Sequence, residues 1–383
     1  MPIDDETFHQ LREAVQRFVD TRLRPAEEQV EEEDAVPNAI VEEMKALGLF
    51  GLTIPVEYGG LGLSMSQEVS LGIVLGHTSP AFRSVIGTNV GIGSQGIVLD
   101  GTEEQKARFL PAMASGDIVG SFCLTEPDSG SDAAGLRTSA TRVGNGYVLN
   151  GTKRYITNAP RANVFTIMAR TDPEESGARG ISAFIVDSNT PGITLGKPER
   201  KMGQRGAHIS DVNFNDVRID GDALIGGVEG RGFKTAMKVL DRGRLHIASI
   251  AVGLAKRLIA DSLAYAVNRK QFGQPIADFQ LVQAMLADSE TECAAAQALV
   301  MDAAGKRDAG EPVVKLAAMC KYYATEMVGR VADRAVQIHG GAGYIADYVV
   351  ERFYRDVRVL RLYEGTSQIQ QLIIAREMLK SAR

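Results

Sequence analysis

The segment RLYEGTSQIQQL, residues 361–372, holds a single carboxylate, Glu364, between a tyrosine and a glycine just ahead of a helix start. Thr366 or Ser367 suits the N-cap, and Ile369, Leu372 and Ile373 then share one face. Glu364 precedes the cap, outside the first turn where a carboxylate meets the helix dipole. Capping therefore explains it poorly, which leaves an exposed loop acid or a group that moves a proton. The helix N-terminus behind it can bind an anion or a polar cofactor group.

Five other stretches carry chemistry-bearing residues. FCLTEPDSGSD, residues 122–132, runs from a strand into a turn whose glycine lets hydroxyl and backbone donors approach a ligand; read locally it is a polar turn, and Glu126 and Asp128 could equally face a ligand or solvent. RYITNA, residues 154–159, puts an aromatic ring, a hydroxyl and an amide at a strand end, either an ordinary strand with its turn or a wall for a planar cofactor. LDRGRL, residues 240–245, sets Asp241, Arg242 and Arg244 in an apolar helix, either solvated or aimed at a ligand. In NRKQFGQPIADFQ, Gly273 and Pro275 break the helical period, and Arg269 offers a fork of donors suited to phosphate. QIHGGAGY, residues 337–344, is a glycine-rich break after a helix whose backbone N–H groups can take a pyrophosphate. No strand precedes it, so it is neither a Walker loop nor a Rossmann fingerprint. His339 reads as a packed histidine, and no cluster has metal-ligand spacing.

The elements that must position these residues fall into three regions. Residues 1–119 read as helical, with Phe8, Leu11, Val15, Phe18 and Val19 at helical spacing and the acidic run EEQVEEEDAVP as a solvated face. GLTIPVEYGGLGLS interrupts these helices as a loop. Residues 120–228 hold short β-branched and aromatic runs, and Asn145-Gly146 and Asn150-Gly151 are hairpin signals, which predicts antiparallel strands. Residues 229–383 return to long alanine- and leucine-rich helices of the kind that pack as a four-helix bundle. The fold class expected is α+β, in the order helices, strands, helices.

Composition narrows the function. There are 48 acidic against 42 basic residues and no basic block, which argues against a nucleic-acid surface. No apolar run approaches the roughly 18 residues of a membrane span. Three scattered cysteines, Cys123, Cys293 and Cys320, point to a reducing compartment. The start of the chain reads as a helix and not as a leader, so a cytoplasmic protein is expected.

Taken together and in order, the six segments resemble the acyl-CoA dehydrogenase family over nearly the whole chain. The resemblance implies an N-terminal helical domain, a middle β domain and a C-terminal four-helix bundle. It also implies FAD bound between domains and partly by a neighbouring subunit, in a homotetramer built as a dimer of dimers. Position by position, it places the flavin against Phe122, Leu124, Thr125, Tyr155 and Thr157, with Ser131 near both flavin and acyl-CoA. Arg269, Phe272, Gln280, Gln337 and Gly341 are expected to hold the adenine dinucleotide part of a partner subunit's FAD. Thr366 and Gln368 complete the cofactor site. Asp241 and Arg244 face the CoA side of the substrate channel, Arg376 lies near CoA, and Tyr363 and Gly365 flank the acyl group.

The same resemblance makes Glu364 the catalytic base. In such enzymes it takes the α-proton of an acyl-CoA thioester while the β-hydrogen leaves as hydride to flavin N5, giving the trans-2-enoyl-CoA. The thioester oxygen is held by the backbone N–H of the base and the flavin's ribityl 2′-hydroxyl. Burial is expected to raise the carboxyl's pKa. Isovaleryl- and long-chain-type members carry the base at the position of Gly243 instead, so glycine there is similar to the majority branch; Tyr155 replaces the tryptophan of many members. The electron acceptor implied is electron-transfer flavoprotein. The alternatives are an acyl-CoA oxidase, although known oxidases are considerably longer, and a non-enzymatic scaffold of the same fold. Related monooxygenases lack the glutamate and nitroalkane oxidase carries aspartate there, so Glu364 argues against both.

Overall fold

The structure, a computed structural model, describes residues 3–175 and 177–382. Seven helices come first: α1 (Asp5–Phe18), α2 (Glu27–Glu33), α3 (Asn38–Ala46), α4 (Met65–Leu75), α5 (Pro80–Val90), α6 (Gln95–Asp100) and α7 (Glu103–Ser115). Side chains set several of their starts. Ser64 with Gln67 and Thr102 with Gln105 form capping boxes on α4 and α7, each pairing two otherwise orphaned N–H groups. Gln105 also donates to the carbonyls of Asp222 and Leu224, at 2.7 and 2.8 Å, and so fastens α7 to the following region.

Seven strands follow: β1 (Gly120–Cys123), β2 (Ser139–Val143), β3 (Gly146–Thr157), β4 (Val164–Arg170), β5 (Ile181–Asp187), β6 (Ile193–Leu195) and β7 (Ile209–Ile219). They form one sheet in the order β1-β4-β2-β3-β7-β6, with β5 on β4. Most pairs are antiparallel as expected, but β1 runs parallel to β4, and β2 meets β4 in parallel at Ser139 and Arg170. The long excursion through β2 and β3 provides the crossover a parallel pair requires. The Asn145-Gly146 signal marks the β2–β3 hairpin. Asn150-Gly151 does not turn the chain: it lies inside β3 at a register shift against β7. Gly151 has φ +148°, and a Cβ there would stand 2.5 Å from Thr138 Oγ1, so the glycine serves a close approach within a bulged strand.

The last region is helical again: α8 (Gly232–Asn268), α9 (Gln280–Asp308), α10 (Val314–His339), α11 (Val349–Val357) and α12 (Ser367–Ser381). Apolar faces of α8, α9 and α10 share one core with α1–α5, whereas the sheet encloses its own around Phe165, Phe184 and Phe214. A third cluster, including Leu110, Met113, Phe122, Ile185 and Ala236, joins α7, the sheet and the start of α8. These shared cores bring elements from all three regions together around the YEGT loop.

Candidate active site

Glu364 sits in the turn between α11 and α12 with φ +52°, followed by Gly365 at φ +90°. A left-handed conformation is uncommon for glutamate and is a mark of a constrained loop. Two buried groups, Lys321 and Gln370, hold it there. Lys321 of α10 donates from Nζ to the Gly365 carbonyl at 2.6 Å. Gln370, on the first turn of α12, donates from Nε2 to the Gly365 and Glu364 carbonyls at 3.0 and 3.2 Å. A Cβ on residue 365 would lie 2.5 Å from that same Nε2, so the glycine is needed for space as well as for φ. Thr366 is the N-cap, its hydroxyl accepting from Ile369 N at 3.3 Å, and Ser367 Oγ donates to Glu326 at 2.6 Å. Both carbonyls flanking the turn are thus held, while the Glu364 N–H makes no hydrogen bond among the described residues.

The carboxylate projects over Gly243 of α8: a Cβ at residue 243 would come within 2.1 Å of Glu364 Oε2. That oxygen is buried and has no hydrogen-bond partner. Burial pushes the Glu364 pKa up, and the charges of Arg83, Lys321 and Arg244 only partly oppose it. Burial also lowers Lys321, to about 8, against the pull of Glu364. Below Glu364 on α8, Arg244 is buried and donates to Asp241 at 2.5 Å, and Arg242 pairs with the buried Glu68 of α4 at 2.6 Å. The LDRGRL charges are therefore packed and paired around the site instead of being solvated.

The expected flavin-facing residues form a second group, at the ends of β1 and β3. Arg154 N donates to Thr125 O at 2.8 Å, and Ser121 Oγ to Thr157 O, so Phe122, Leu124, Thr125, Tyr155 and Thr157 converge. Tyr155 has φ +58° and an exposed ring. Glu126, for which the sequence left a solvent-facing position open, is buried. Its carboxylate accepts from Arg137 N at 2.7 Å, Thr138 N at 2.9 Å and the fully buried Lys153 Nζ at 2.8 Å. Lys153 Nζ also donates to Leu124 O, at 3.1 Å. Burial of both charges is tolerated because each is paired and hydrogen-bonded. Asp128 is exposed, as is Ser131.

A third group lies at the end of the bundle where the C-termini of α8 and α10 meet, joined by the stacked rings of Tyr265 and His339, 4.2 Å apart. His339 is packed as expected, its Nδ1 2.8 Å from Ala335 O. Exposed Arg269, Phe272, Gln280, Gln337 and Gly341 gather there. Phe272 tops a tight hairpin with φ +52° and is 94% exposed, a strained aromatic presented to solvent. Gln368 and Arg376 lie on the exposed side of α12, and Tyr363 is partly buried beside the base. Sequence reasoning missed Lys321, Gln370 and Arg83. A lone lysine in the alanine-rich run LAAMCKYYA was the one available signal for Lys321.

The exposed ring of Tyr155 beside Thr125 and Thr157 fits a planar cofactor such as a flavin, and the N–H of Glu364 is left free for a ligand's carbonyl oxygen. Comparison with known proteins agrees. The chain matches the descriptions "Acyl-CoA dehydrogenase, N-terminal domain" over residues 5–117, "middle domain" over 121–217 and "C-terminal domain" over 230–379. It is 41% identical to a 3-(aryl)acrylate reductase of Clostridium sporogenes, covering 98% of this chain and 99% of the other. It is 42% identical to the caffeyl-CoA reductase-Etf complex subunit CarC of Acetobacterium woodii, covering 92% and 93%. The solved structure of butyryl-CoA dehydrogenase from Megasphaera elsdenii superposes with a TM-score of 0.94 at 34% identity, over 99% of each chain. This chain belongs to the acyl-CoA dehydrogenase family, whose members are FAD-dependent oxidoreductases.

Proposed function

We propose that this protein interconverts an acyl-CoA thioester and its trans-2-enoyl-CoA, with Glu364 moving the α-proton. One observation carries the reading. The Glu364 carboxylate is held in a constrained turn, with Oε2 buried, unpartnered and poised over Gly243. A carboxylate that no protein group satisfies is available to a ligand's acidic C–H. Its raised pKa brings it nearer the pH at which it works and raises its basicity. Its free N–H is suited to receive the charge that builds on a thioester oxygen, an interaction typically contributing about 10²–10³ in rate. Lys321 and Gln370 prevent the turn from relaxing by gripping both carbonyls. FAD, when bound, supplies hydride acceptance or donation at the β-carbon.

The residues expected to hold FAD are Phe122, Leu124, Thr125, Tyr155, Thr157, Thr366 and Gln368. Arg269, Phe272, Gln280, Gln337 and Gly341 are proposed to reach a neighbouring subunit's FAD in a homotetramer, a role the exposed, strained Phe272 supports. Ser131, Asp241, Arg244, Tyr363, Gly365 and Arg376 are the proposed contacts to the acyl-CoA. Electron-transfer flavoprotein is the proposed redox partner, supported by a relative named as part of an Etf complex. Three free, buried cysteines suit a reducing, cytoplasmic setting.

Because relatives carry the names of both dehydrogenases and reductases, the direction of net flux is a separate question. Glu364 serves either one, taking the α-proton in oxidation and returning it in reduction. The test is anaerobic mixing of the FAD-loaded protein with straight, branched and aromatic acyl-CoA thioesters. Bleaching of the flavin by at least one, reversed by the matching enoyl-CoA, is expected. A flavin that no thioester bleaches would rule the reading out. Fast reoxidation by O₂ would reassign it to an oxidase.

A further inference from the structure

The two ends of the segment that carries the base meet on one side chain. Glu326 lies on α10, a little over one turn beyond Lys321. Its Oε2 accepts from Arg361 Nη1 at 2.9 Å, and its Oε1 accepts from Ser367 Oγ at 2.6 Å. Arg361 closes the short 3-10 turn Arg358–Arg361, and Ser367 opens α12. Glu364 stands midway between them in the chain, so a single carboxylate ties down both flanks of the base.

Neither flank has a substitute. The Arg361 side chain donates to no other acceptor among the described residues, and its Nε is buried without a partner. Ser367 is buried, and its hydroxyl is not spent on starting the helix, because the cap is Thr366. Lys321 and Gln370 do a different job. They grip the carbonyls of Glu364 and Gly365, which orients the peptide planes inside the turn. They do not fix how far apart the ends of the turn lie. Glu326 does, since it alone touches both ends among the described residues.

A reacting group has to be held to within about 0.5 Å of its productive position. The segment between Arg361 and Ser367 contains Gly365, whose backbone is the freest in it, and with loose ends the turn would flex there. We propose that Glu326 is a positioning residue for the reaction: by holding Arg361 and Ser367 to one point on α10, it fixes the reach of the Glu364 carboxylate toward the substrate's α-proton. The inference rests on the reading of Glu364 as the group that moves that proton.

Anaerobic stopped-flow bleaching of the FAD-loaded protein, by the thioester that reduces it fastest in ordinary and α-deuterated form, tests it. Glu326→Ala is expected to slow bleaching by about 10²-fold, as a misplacement of about 1 Å does. It should also enlarge the α-deuterium isotope effect, because proton removal then limits the rate. Apparent thioester affinity and the flavin spectrum should stay at their wild-type values. The melting temperature should move by no more than about 3 °C, since partly exposed ion pairs add little stability. Glu326→Gln can still accept from Arg361 and donate to Ser367, so it should recover most of the rate. Ser367→Ala removes one flank only: it should slow bleaching less than Glu326→Ala and add nothing to it in the double variant. Where Glu326→Ala does not fold, Ser367→Ala carries the same isotope test. A wild-type rate and isotope effect, or slowing explained wholly by lost FAD or weaker thioester binding, would overturn this inference and leave the reading of Glu364 intact. Bleaching of Glu364→Gln at the wild-type rate would overturn both.

Discussion

Two glutamates, one buried in the sheet region and one half-buried in the bundle, show how environment separates a structural acid from a reactive one. Glu126 is satisfied from every side, by two backbone N–H groups and the ammonium of Lys153, and these hold its pKa below the usual carboxylate range despite burial. Glu364 has a buried oxygen, Oε2, without such partners, and its pKa moves the other way. The sequence places both in motifs rich in turn formers, and nothing local distinguishes them. What separates them is whether the protein completes the acid's hydrogen bonds or leaves them for a ligand.

The contrast is broken most severely on the structural side. Glu126→Gln leaves the Lys153 ammonium buried without its counter-charge, a change that typically costs about 3–5 kcal/mol. Denaturant unfolding should show that loss at neutral pH, with a smaller gap in acid. Because the folded pKa of Glu126 is depressed, its stabilisation is present above its unfolded pKa and disappears as pH falls through the folded value. On the reactive side, Gly243→Ala forces a methyl carbon into the space of Glu364 Oε2. Displacing a reacting group by about 1 Å can cost 10²-fold in rate. Flavin bleaching should slow by about that factor while unfolding is affected far less.

The smallest effect is the most discriminating in sign. The folded pKa of Glu364 is raised, so its contribution is fully present below the unfolded pKa and is lost as pH rises through the folded value. Glu364→Gln should therefore be more stable than wild type at neutral pH and indistinguishable from it in acid, the reverse of Glu126→Gln. Thermal melts of the two variants across pH compare them directly. Lower stability of Glu364→Gln at neutral pH would mean that the carboxylate has a partner after all.

Much of this site could be read from the chain, because its residues are local. The Thr366 cap and the interruption of the helices at Gly273 and Pro275 each follow from short-range rules, and the structure contains both. Other features depend on partners that sequence spacing cannot supply. Arg83 meets His246 from 163 residues away, and Lys153 closes on Glu126 across 27. Asn150-Gly151 misled for a related reason. A glycine that makes room for Thr138 is indistinguishable in sequence from one that turns a hairpin. The parallel pairing of β1 with β4 likewise reflects the long path between them and not the composition of either strand.

The central claim is that the unpartnered Glu364 carboxylate moves the substrate's α-proton. Anaerobic stopped-flow bleaching, with whichever thioester reduces the wild-type flavin fastest, tests it most directly when Glu364→Gln is compared across pH. Wild type should bleach faster as pH rises through a single ionisation above the ordinary carboxylate range. Glu364→Gln, with FAD still bound, should be slower by at least about 10²–10⁴ and show no such ionisation. A glutamine variant that bleaches at the wild-type rate would contradict the account, whatever else the structure explains.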